Sequence, residues 1–295
     1  MSQWDGIDEF LAVATANSFT RAAKAIGMSP THVSRSVLAL EQRVQAQLFH
    51  RTTRTVALTA AGRLFFERCE WIARERDEAI ALIGEQGEPE GDLRLTCSTA
   101  LGERFVAPII RRFAMAHRKL GVTIDLSNRV VDLPAEGYDI AIRTGPVDDP
   151  RLSATQVASR TLHTCAAPAY LDQMGRPATI ADLAGHDCIR GSSPTWHFRQ
   201  GADEAVHRPK GRFSCNNGQA VMEACVAGFG ICQLPDFYVL PYLKEGAVEL
   251  LLEHCAPGPE PIWAVHPRRR YLSPKIGRTI DCLERELPLA LRQAV

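Results

Sequence analysis

Polar side chains crowd the first turn and a half of one predicted helix. The stretch "SPTHVSR", residues 29 to 35, places hydroxyl, imidazole and guanidinium groups close together. An arginine can donate two parallel hydrogen bonds to the O6 and N7 atoms of guanine, and hydroxyl groups bond to base edges or to phosphates. These residue types at the start of a helix are suited to contacts with double-stranded DNA. The candidate residues are Ser29, Pro30, Thr31, His32, Ser34 and Arg35.

The predicted helix has one apolar seam and an opposite polar face. Ser29 can cap its first turn and Pro30 fits its first position, because neither the missing N–H nor the fixed φ of proline costs anything there. Val33 and Val37 recur with helical spacing and form the buried seam together with two later apolar residues, Leu40 and Val44. Thr31 and Arg35 therefore point outward.

Two shorter helices precede this one. Ile7 and Phe10 begin an apolar repeat that predicts a first helix within residues 5 to 17. A second helix begins at Ser18 or Thr20 and ends near Gly27. A tight helix pair whose second member presents polar groups is typical of a helix-turn-helix, in which that member enters the major groove. An ordinary three-helix surface bundle is the alternative.

The next segment predicts a short β-ribbon with basic residues. Residues 48 to 62 alternate around Val56 and Leu58 and carry Arg51 and Arg54, which are candidate phosphate contacts. Residues 15 to 60 contain six basic residues and one acidic residue, a net charge of +5 in a chain whose formal net charge is zero. This segregation favours a phosphate-binding module, although a solvated basic face is the alternative.

A long helix over residues 63 to 88 follows, and we interpret it as a linker and dimerisation helix. Its apolar residues alternate in fours and threes, as in a coiled coil, with one charged interruption. The alternative is an amphipathic helix that packs against its own domain. The proposed seam consists of Phe65, Cys69, Ile72, Arg76, Ala79 and Ile83.

Residues 7 to 62 as a whole resemble the winged helix-turn-helix of LysR-type transcriptional regulators. The resemblance is carried by "SFTRAAKAIGMSPTHVSRSVLALEQRVQAQLFHRTTRTVALTAAG". Ser34 and Arg35 match the serine and arginine with which the family contacts DNA, whereas Pro30 and Thr31 differ from the Gln-Pro often found there. The resemblance implies homodimers or homotetramers on an inverted-repeat operator, with contact to RNA polymerase.

The C-terminal part, residues 91 to 295, alternates predicted strands and helices and therefore indicates an α/β fold. The motifs "DIAIRTG", "CAAPAYL", "DLAGHDCI" and "AGFGICQLPDF" resemble the effector-binding domain of the same family. That domain has two α/β lobes around a cleft, like periplasmic solute-binding proteins. We expect lobe I at about residues 91 to 161 and 267 to 295, and lobe II at about 162 to 266. The whole chain is thus predicted as multi-domain, with a DNA-binding domain at residues 1 to 62.

A small-molecule effector, which we expect to be an organic acid, would bind between these lobes. Ser98 and Thr99 lie where a strand leads into a helix N-terminus, which is suited to an anion. Each of three residues has an alternative interpretation, which is a helix cap for Ser98 and Asn217 and a structural ion pair for Arg143. The candidate lining residues are Ser98, Thr99, Arg143, Thr144, His163, Thr164, Asn217 and Phe229.

Catalysis, cofactors and metals find no support in the sequence motifs. No G-x-S-x-G elbow is present, "GFG" at residue 228 follows a helix rather than a strand, and "HDC" at residue 186 lacks metal-ligand spacing. Cys215 and Cys225 are ten residues apart, and some relatives sense peroxide with such a pair. Two inert thiols remain the favoured interpretation, because no Lys or Arg cluster adjoins them in sequence.

The sequence therefore predicts a regulator rather than an enzyme. A solute-binding protein that uses its N-terminal part only for oligomerisation and an enzyme built on the α/β lobes are the rival classes. Without a stretch of about 18 apolar residues or a leader-like N-terminus, we expect no membrane contact and a cytoplasmic location. The nine cysteines without CxxC spacing fit a reducing compartment.

Overall fold

The computed structural model describes residues 4–51, 56–81, 88–201, 203–269 and 271–294. The chain divides into two compact units, Met1–Gln86 and Gly87–Val295. Among the described residues, no helix combines the length and the apolar character that a membrane span requires.

The described residues of the N-terminal unit form four helices and a two-stranded antiparallel ribbon. Phe49 of the first strand pairs with Leu58 of the second. In chain order the elements are α1 (Ile7–Ala16), α2 (Phe19–Ala25), α3 (Pro30–Val44), β1 (Phe49–Arg51), β2 (Val56–Leu58) and α4 (Ala60–Ala81).

The predicted helix boundaries in this unit are confirmed by their capping contacts. The Ser18 hydroxyl accepts a hydrogen bond from the N–H of Arg21 at the start of α2. The Ser29 hydroxyl accepts one from the N–H of His32, and Pro30 is the first residue of α3. Gly27 has φ +69°, the left-handed conformation that ends a helix at little cost for glycine.

A buried carboxylate connects α3 to the ribbon. Glu41 is only 9% exposed. Its Oε1 accepts hydrogen bonds from the N–H groups of Leu48 and Phe49, at 2.8 and 3.2 Å. The end of α3 and the first strand of the ribbon are therefore held together by one side chain.

Part of the predicted dimerisation seam of α4 also has contacts inside its own unit, as the alternative interpretation expects, and dimerisation through this helix stays a prediction. The Phe65 ring lies 5.3 Å from the Phe10 ring, and Cys69 is buried in the same core. Arg76 forms an ion pair with Asp8 of α1 at 2.9 Å. Ile72 is 42% exposed. Ile83 lies outside the described residues, and the structure does not describe the Ala79 side chain.

The C-terminal unit contains seven helices and ten strands. Additional single turns occur at Gly102–Val106 (π-helical), Ile180–Gly185 and Glu253–Cys255. In chain order the elements are β3 (Gly91–Cys97), α5 (Thr99–Leu101), α6 (Ala107–Ala116), β4 (Leu120–Leu126), α7 (Leu133–Glu136), β5 (Ile140–Thr144), β6 (Leu152–Arg160), β7 (Leu162–Ala166), α8 (Pro168–Met174), β8 (Trp196–Gln200), β9 (Asp203–His207), α9 (Gly218–Val226), β10 (Cys232–Pro235), α10 (Asp236–Lys244), β11 (Glu249–Leu251), β12 (Glu260–Pro267) and α11 (Pro274–Gln293).

These strands form the sheets of two lobes. The first lobe has a five-stranded sheet in the order β4-β3-β5-β12-β6, in which β3 runs parallel to both of its neighbours. The second lobe has a three-stranded antiparallel sheet in the order β10-β7-β11, and a separate β8-β9 pair. Parallel strands require crossover helices, and α6 supplies the connection from β3 to β4.

One predicted lobe boundary needs correction. The boundary expected from the sequence places residues up to 266 in lobe II. However, β12 pairs with β5 and β6 of the first sheet, for example Ala264 with Ile142 and with Thr155. The assignment is therefore wrong for residues 260 to 266. Strand pairing of this kind is non-local, so the period of the strand alone cannot reveal which sheet it joins.

Candidate DNA-binding face and effector cleft

The α3 helix presents one continuous exposed stripe. Its members fall within about 60° of one another at 100° per residue and lie opposite the buried Val33 and Val37. All four side chains of the stripe are exposed: Thr31, Arg35, Leu38 and Gln42. Leu38 is 49% exposed, and sequence reasoning had not named it. Its spacing of three from Arg35 is the signal that would have found it.

The other predicted residues at the start of α3 are partly engaged within the unit. Ser29 and Pro30 are exposed, and the Ser29 hydroxyl serves as the helix cap. The Nε2 atom of His32 lies 3.2 Å from Oε1 of Glu9 in α1, and the His32 side chain remains 47% exposed. Ser34 is half-buried. Glu9 therefore fixes the orientation of the His32 ring beside the stripe.

Of the two predicted phosphate contacts, Arg51 and Arg54, only Arg51 lies among the described residues. Arg51 is the last residue of β1, in register with Val56. Arg54 lies outside the described residues.

Between the two lobes lies a cleft of about 610 Å³. Ser98, Thr99, Arg143, Thr144 and Asn217 of the predicted set line it. The first four come from the first lobe and Asn217 comes from the second. The structure thus brings five of the eight predicted residues to one cavity.

Two helix N-termini face this cleft from opposite lobes. A helical segment runs without interruption from Thr99 through the π-turn to Ala116, and it begins in the cleft wall. On the other side, α9 begins at Gly218, and the Asn217 side chain accepts a hydrogen bond from the N–H of Ala220 at 3.0 Å. The N–H groups of a first helical turn lack acceptors within the helix and attract anions. The predicted capping role of Asn217 is confirmed, and Asn217 lines the cleft as well.

Arg143 adds a positive charge to the same wall. Its guanidinium donates to the carbonyl oxygen of Ser127 at 2.6 Å and to the Thr96 hydroxyl at 2.9 Å. Both acceptors are neutral, so they orient the charge without compensating it. Burial lowers the pKa of Arg143 from its ordinary value, yet the group stays charged at neutral pH. Nearby, Thr144 accepts a hydrogen bond from Arg160, which is paired with Glu260 at 2.7 Å.

Three predicted lining residues lie elsewhere. His163 and Thr164 are consecutive in β7, and the buried Thr164 hydroxyl accepts a hydrogen bond from Gln233. Phe229 packs against the Phe213 ring at 5.5 Å and beneath the Arg212 guanidinium. None of the three lines the cavity. The β7 residue that does line the cavity is Leu162, at the start of the strand.

Asn128 is the main cleft residue that sequence reasoning missed. Its Oδ1 accepts a hydrogen bond from the N–H of Thr99 at 3.2 Å in the first lobe. Its Nδ2 donates to Ser192 Oγ at 3.2 Å and to the carbonyl oxygen of Asn216 at 2.7 Å in the second lobe. One amide side chain therefore connects the two lobes and occupies the N–H of a helix start. Its position two residues after β4 was the available signal, since ligands gather at the carboxyl ends of parallel strands.

A helix-turn-helix unit with a β-ribbon, followed by two α/β lobes around a polar cleft, defines a class of protein. That class is the transcriptional regulator with an effector-binding domain, and it is not an enzyme class.

Comparison with known proteins identifies the family. The family "Bacterial regulatory helix-turn-helix protein, lysR family" matches residues 4–63, and "LysR substrate binding domain" matches residues 86–288. The chain belongs to the LysR family of transcriptional regulators.

Relatives and solved structures agree with this assignment. The chain is 30% identical over 279 residues to the HTH-type transcriptional activator AaeR of Escherichia coli K12, covering 93% of this chain and 90% of that one. CrgA, a LysR-type transcriptional regulator from Neisseria meningitidis, has 27% identity, a TM-score of 0.54 and 98% coverage of both chains. The fold is also similar to that of the Vibrio cholerae virulence activator AphB, with 23% identity, a TM-score of 0.59 and coverage of 96% and 98%.

Proposed function

We propose that this regulator recognises an inverted-repeat operator through α3 and that a small organic acid between the lobes controls it. The observation that carries the ligand class is the meeting of two helix N-termini and the uncompensated Arg143 charge at one cleft. Homodimers or dimers of dimers would place two N-terminal units on a two-fold operator, since the symmetry of the protein must match that of the DNA.

The DNA-binding part of the proposal assigns base contacts to the exposed stripe. Thr31 and Arg35 stand on it, with His32 and Ser34 at its flanks. Arg35 has the donor geometry for guanine, and Leu38 offers an apolar surface for a thymine methyl group. Arg51 and Arg54 of the ribbon would contact phosphates, which contribute affinity without sequence preference. A cytoplasmic location and contact with RNA polymerase accompany this role.

The effector part of the proposal rests on competition inside the cleft. A carboxylate that approaches the N–H of Thr99 must replace the Oδ1 atom of Asn128, which occupies that N–H. The displaced side chain then releases its hydrogen bonds to Ser192 and Asn216 on the other lobe. Ligand binding would thereby change the connection between the lobes. It would favour one assembly shape on DNA in proportion to its differential affinity for the two shapes.

The DNA proposal is tested by binding of the full chain to the region upstream of its own gene. We expect a labelled fragment to be retarded specifically and the complex to weaken steeply with salt. A solute-binding protein that uses its N-terminal unit only for oligomerisation would retard no fragment specifically. That result would reject the DNA proposal.

The effector proposal is tested by thermal shift with a panel of carboxylic acids and neutral analogues of the same size. A ligand that binds only the folded state raises the melting temperature by mass action. We expect acids to shift the transition and their amides to leave it unchanged. The Arg129→Ala variant is a matched control and should keep the shift caused by acids. Arg129 lines the cleft, but its charge is already paired with Glu136. Turnover of a bound acid would instead favour the enzyme interpretation.

A further inference from the structure

Three cysteine sulfur atoms meet inside the second lobe. Cys165 of β7 lies directly opposite Cys232 of β10 in the antiparallel register, and their Sγ atoms are 3.5 Å apart. Cys225, in the last turn of α9, points its Sγ toward the same place, 3.5 Å from the carbonyl oxygen of Cys165. All three sulfur atoms lie within 4.8 Å of one another. We refer to Cys165, Cys225 and Cys232 as the thiol cluster.

The donor set of this cluster is chemically uniform. Within the part of the chain that the structure describes, it is the one group of three His, Cys, Asp or Glu side chains whose ligand atoms approach so closely. It contains sulfur only, and each of the three residues has no exposed surface. Sulfur ligands of this kind select soft ions such as Cu(I) and Zn(II), rather than Mg²⁺ or Ca²⁺.

The separations between the sulfur atoms suit a single ion at their centre. With metal–sulfur bonds of about 2.3 Å, three sulfur atoms around one ion are about 4 Å apart. This value falls between the 3.5 Å that separates the sulfur atoms of Cys165 and Cys232 and the 4.8 Å limit of the cluster. Side chains from three separate elements would therefore need only small adjustments to bind it.

We propose that the thiol cluster binds one Cu(I) ion in a three-coordinate site. Zinc in structural sites takes four ligands, and among the described residues no fourth His, Cys, Asp or Glu side chain joins the cluster. Cu(I) accepts three soft sulfur ligands. Each Cu–S bond forms as one Cys–SH loses its proton to solvent, so up to three protons leave as one Cu(I) enters. No electron is transferred, because the ion arrives in its reduced state.

The site would connect to the effector cleft through the elements that carry it. The α9 helix begins at Asn217 in the cleft wall and holds Cys225 near its other end. β10 carries Cys232 next to Gln233, which also lines the cleft. An ion bound to both elements and to β7 fixes them against one another.

The test is a Cu(I) titration of the full chain under anaerobic, reducing conditions, with bicinchoninate as the competing chelator. We expect the wild-type protein to remove one equivalent of Cu(I) per chain from the coloured complex. The Cys225→Ser and Cys232→Ser variants should lose that equivalent. Cys188→Ala is the matched control, because Cys188 is a buried cysteine of the same lobe outside the cluster and should keep it. A control outside the cluster is necessary because other free cysteines, such as the partly exposed Cys215, are also able to bind copper.

A second measurement keeps the proposal testable if a cluster variant fails to fold. X-ray absorption of the copper-loaded wild-type protein should give three sulfur neighbours at about 2.3 Å and no oxygen or nitrogen neighbours. Equal copper uptake by the wild-type protein and a folded Cys225→Ser variant would overturn the proposal. Two-coordinate copper, preferential retention of Zn(II) in the presence of Cu(I), or a Cys165–Cys232 disulfide formed in place of copper binding would also overturn it.

Discussion

The polar side chains of the α3 stripe are exposed to solvent, whereas those of the cleft between the lobes are hydrogen-bonded to one another. On α3, the Arg35 and Gln42 side chains are exposed and stand on a rigid helix whose other face is buried. In the cleft, the polar groups already bond to one another: Asn128 with Thr99 and Asn216, and Arg143 with the Ser127 carbonyl oxygen. A ligand of the stripe adds contacts, whereas a ligand of the cleft must exchange them.

This difference matches the two tasks. A surface that is organised before binding gives specificity, because little ordering entropy is lost when the partner arrives. A cleft whose internal hydrogen bonds are exchanged on binding can instead convert occupancy into a change of shape.

The largest effect is expected from Glu41, which supports the α3 stripe from inside. The Glu41→Ala variant leaves the N–H groups of Leu48 and Phe49 without their carboxylate acceptor. Each buried unsatisfied group costs about 1–3 kcal/mol, so the free energy of unfolding of the N-terminal unit should fall by about 2–5 kcal/mol. Hydrogen exchange read by mass spectrometry on the full chain will report protection in each unit separately.

The Glu41→Gln variant is the matched control, since its side-chain oxygen can still accept these bonds. It should lose less than half as much stability. Equal losses in both variants, or a loss of protection in residues 88 to 295, would contradict the role assigned to this oxygen.

The second effect concerns the charge of the cleft. The Arg143→Ala variant removes the uncompensated guanidinium, and a hydrogen bond to a charged group contributes about 1.5–3 kcal/mol. We expect the affinity for the carboxylic acid found by thermal shift to fall by about 10- to 100-fold in calorimetric titration. DNA affinity without the acid should change by less than about twofold, because Arg143 belongs to the other compact unit.

The Arg143→Lys variant keeps the charge but not the two-pronged geometry, so it should have intermediate affinity. If Arg143→Ala binds the acid like the wild-type protein, the anion is held elsewhere in the cleft.

The third effect concerns base recognition by the stripe. The Arg35→Ala variant should reduce discrimination between the operator and a sequence with a changed guanine by about 1–3 kcal/mol. Competitive binding of paired oligonucleotides by fluorescence anisotropy measures this ratio. Arg68→Ala, which removes an exposed arginine of α4 outside the stripe, is the matched control and should alter the ratio by less than about threefold. Unchanged discrimination in Arg35→Ala would mean that this face does not contact the bases.

The two regions also differ in how far the sequence could predict them. Ser29, Pro30 and the seam of Val33 and Val37 are local signals, and the caps and buried face follow from spacing within one helix. The ends of α2 and the ribbon were predicted in the same way. In this unit, the exposed face of α3 is simply the complement of its buried seam.

The cleft required information that spacing does not contain. Asn128 reaches Thr99 and Asn216 only because the first sheet places β4 beside β3 and the second lobe stands opposite. Lobe membership of β12 and the core packing of Phe229 depend on the same long-range contacts. His163 and Thr164 follow Leu162, the residue of β7 that lines the cleft, and the point at which a strand reaches a cleft also depends on long-range contacts.

The smallest effect should come from Asn128, and it tests the exchange of hydrogen bonds most directly. The Asn128→Ala variant frees the N–H of Thr99 before any ligand arrives. Because the acid no longer displaces a hydrogen bond worth about 0.5–1.5 kcal/mol, its Kd should fall by about 2- to 10-fold.

The Ser192→Ala variant removes one cross-lobe acceptor and leaves the N–H of Thr99 occupied, so the Kd of the acid should change less. Asn128→Asp places a negative charge at the same position and should weaken binding of the acid. Calorimetric titration of the three variants orders these effects. A tenfold weaker affinity of the Asn128→Ala variant for the acid would mean that Asn128 binds the ligand itself rather than competing with it. The cleft would then resemble the α3 stripe, where a ligand adds contacts without exchanging any.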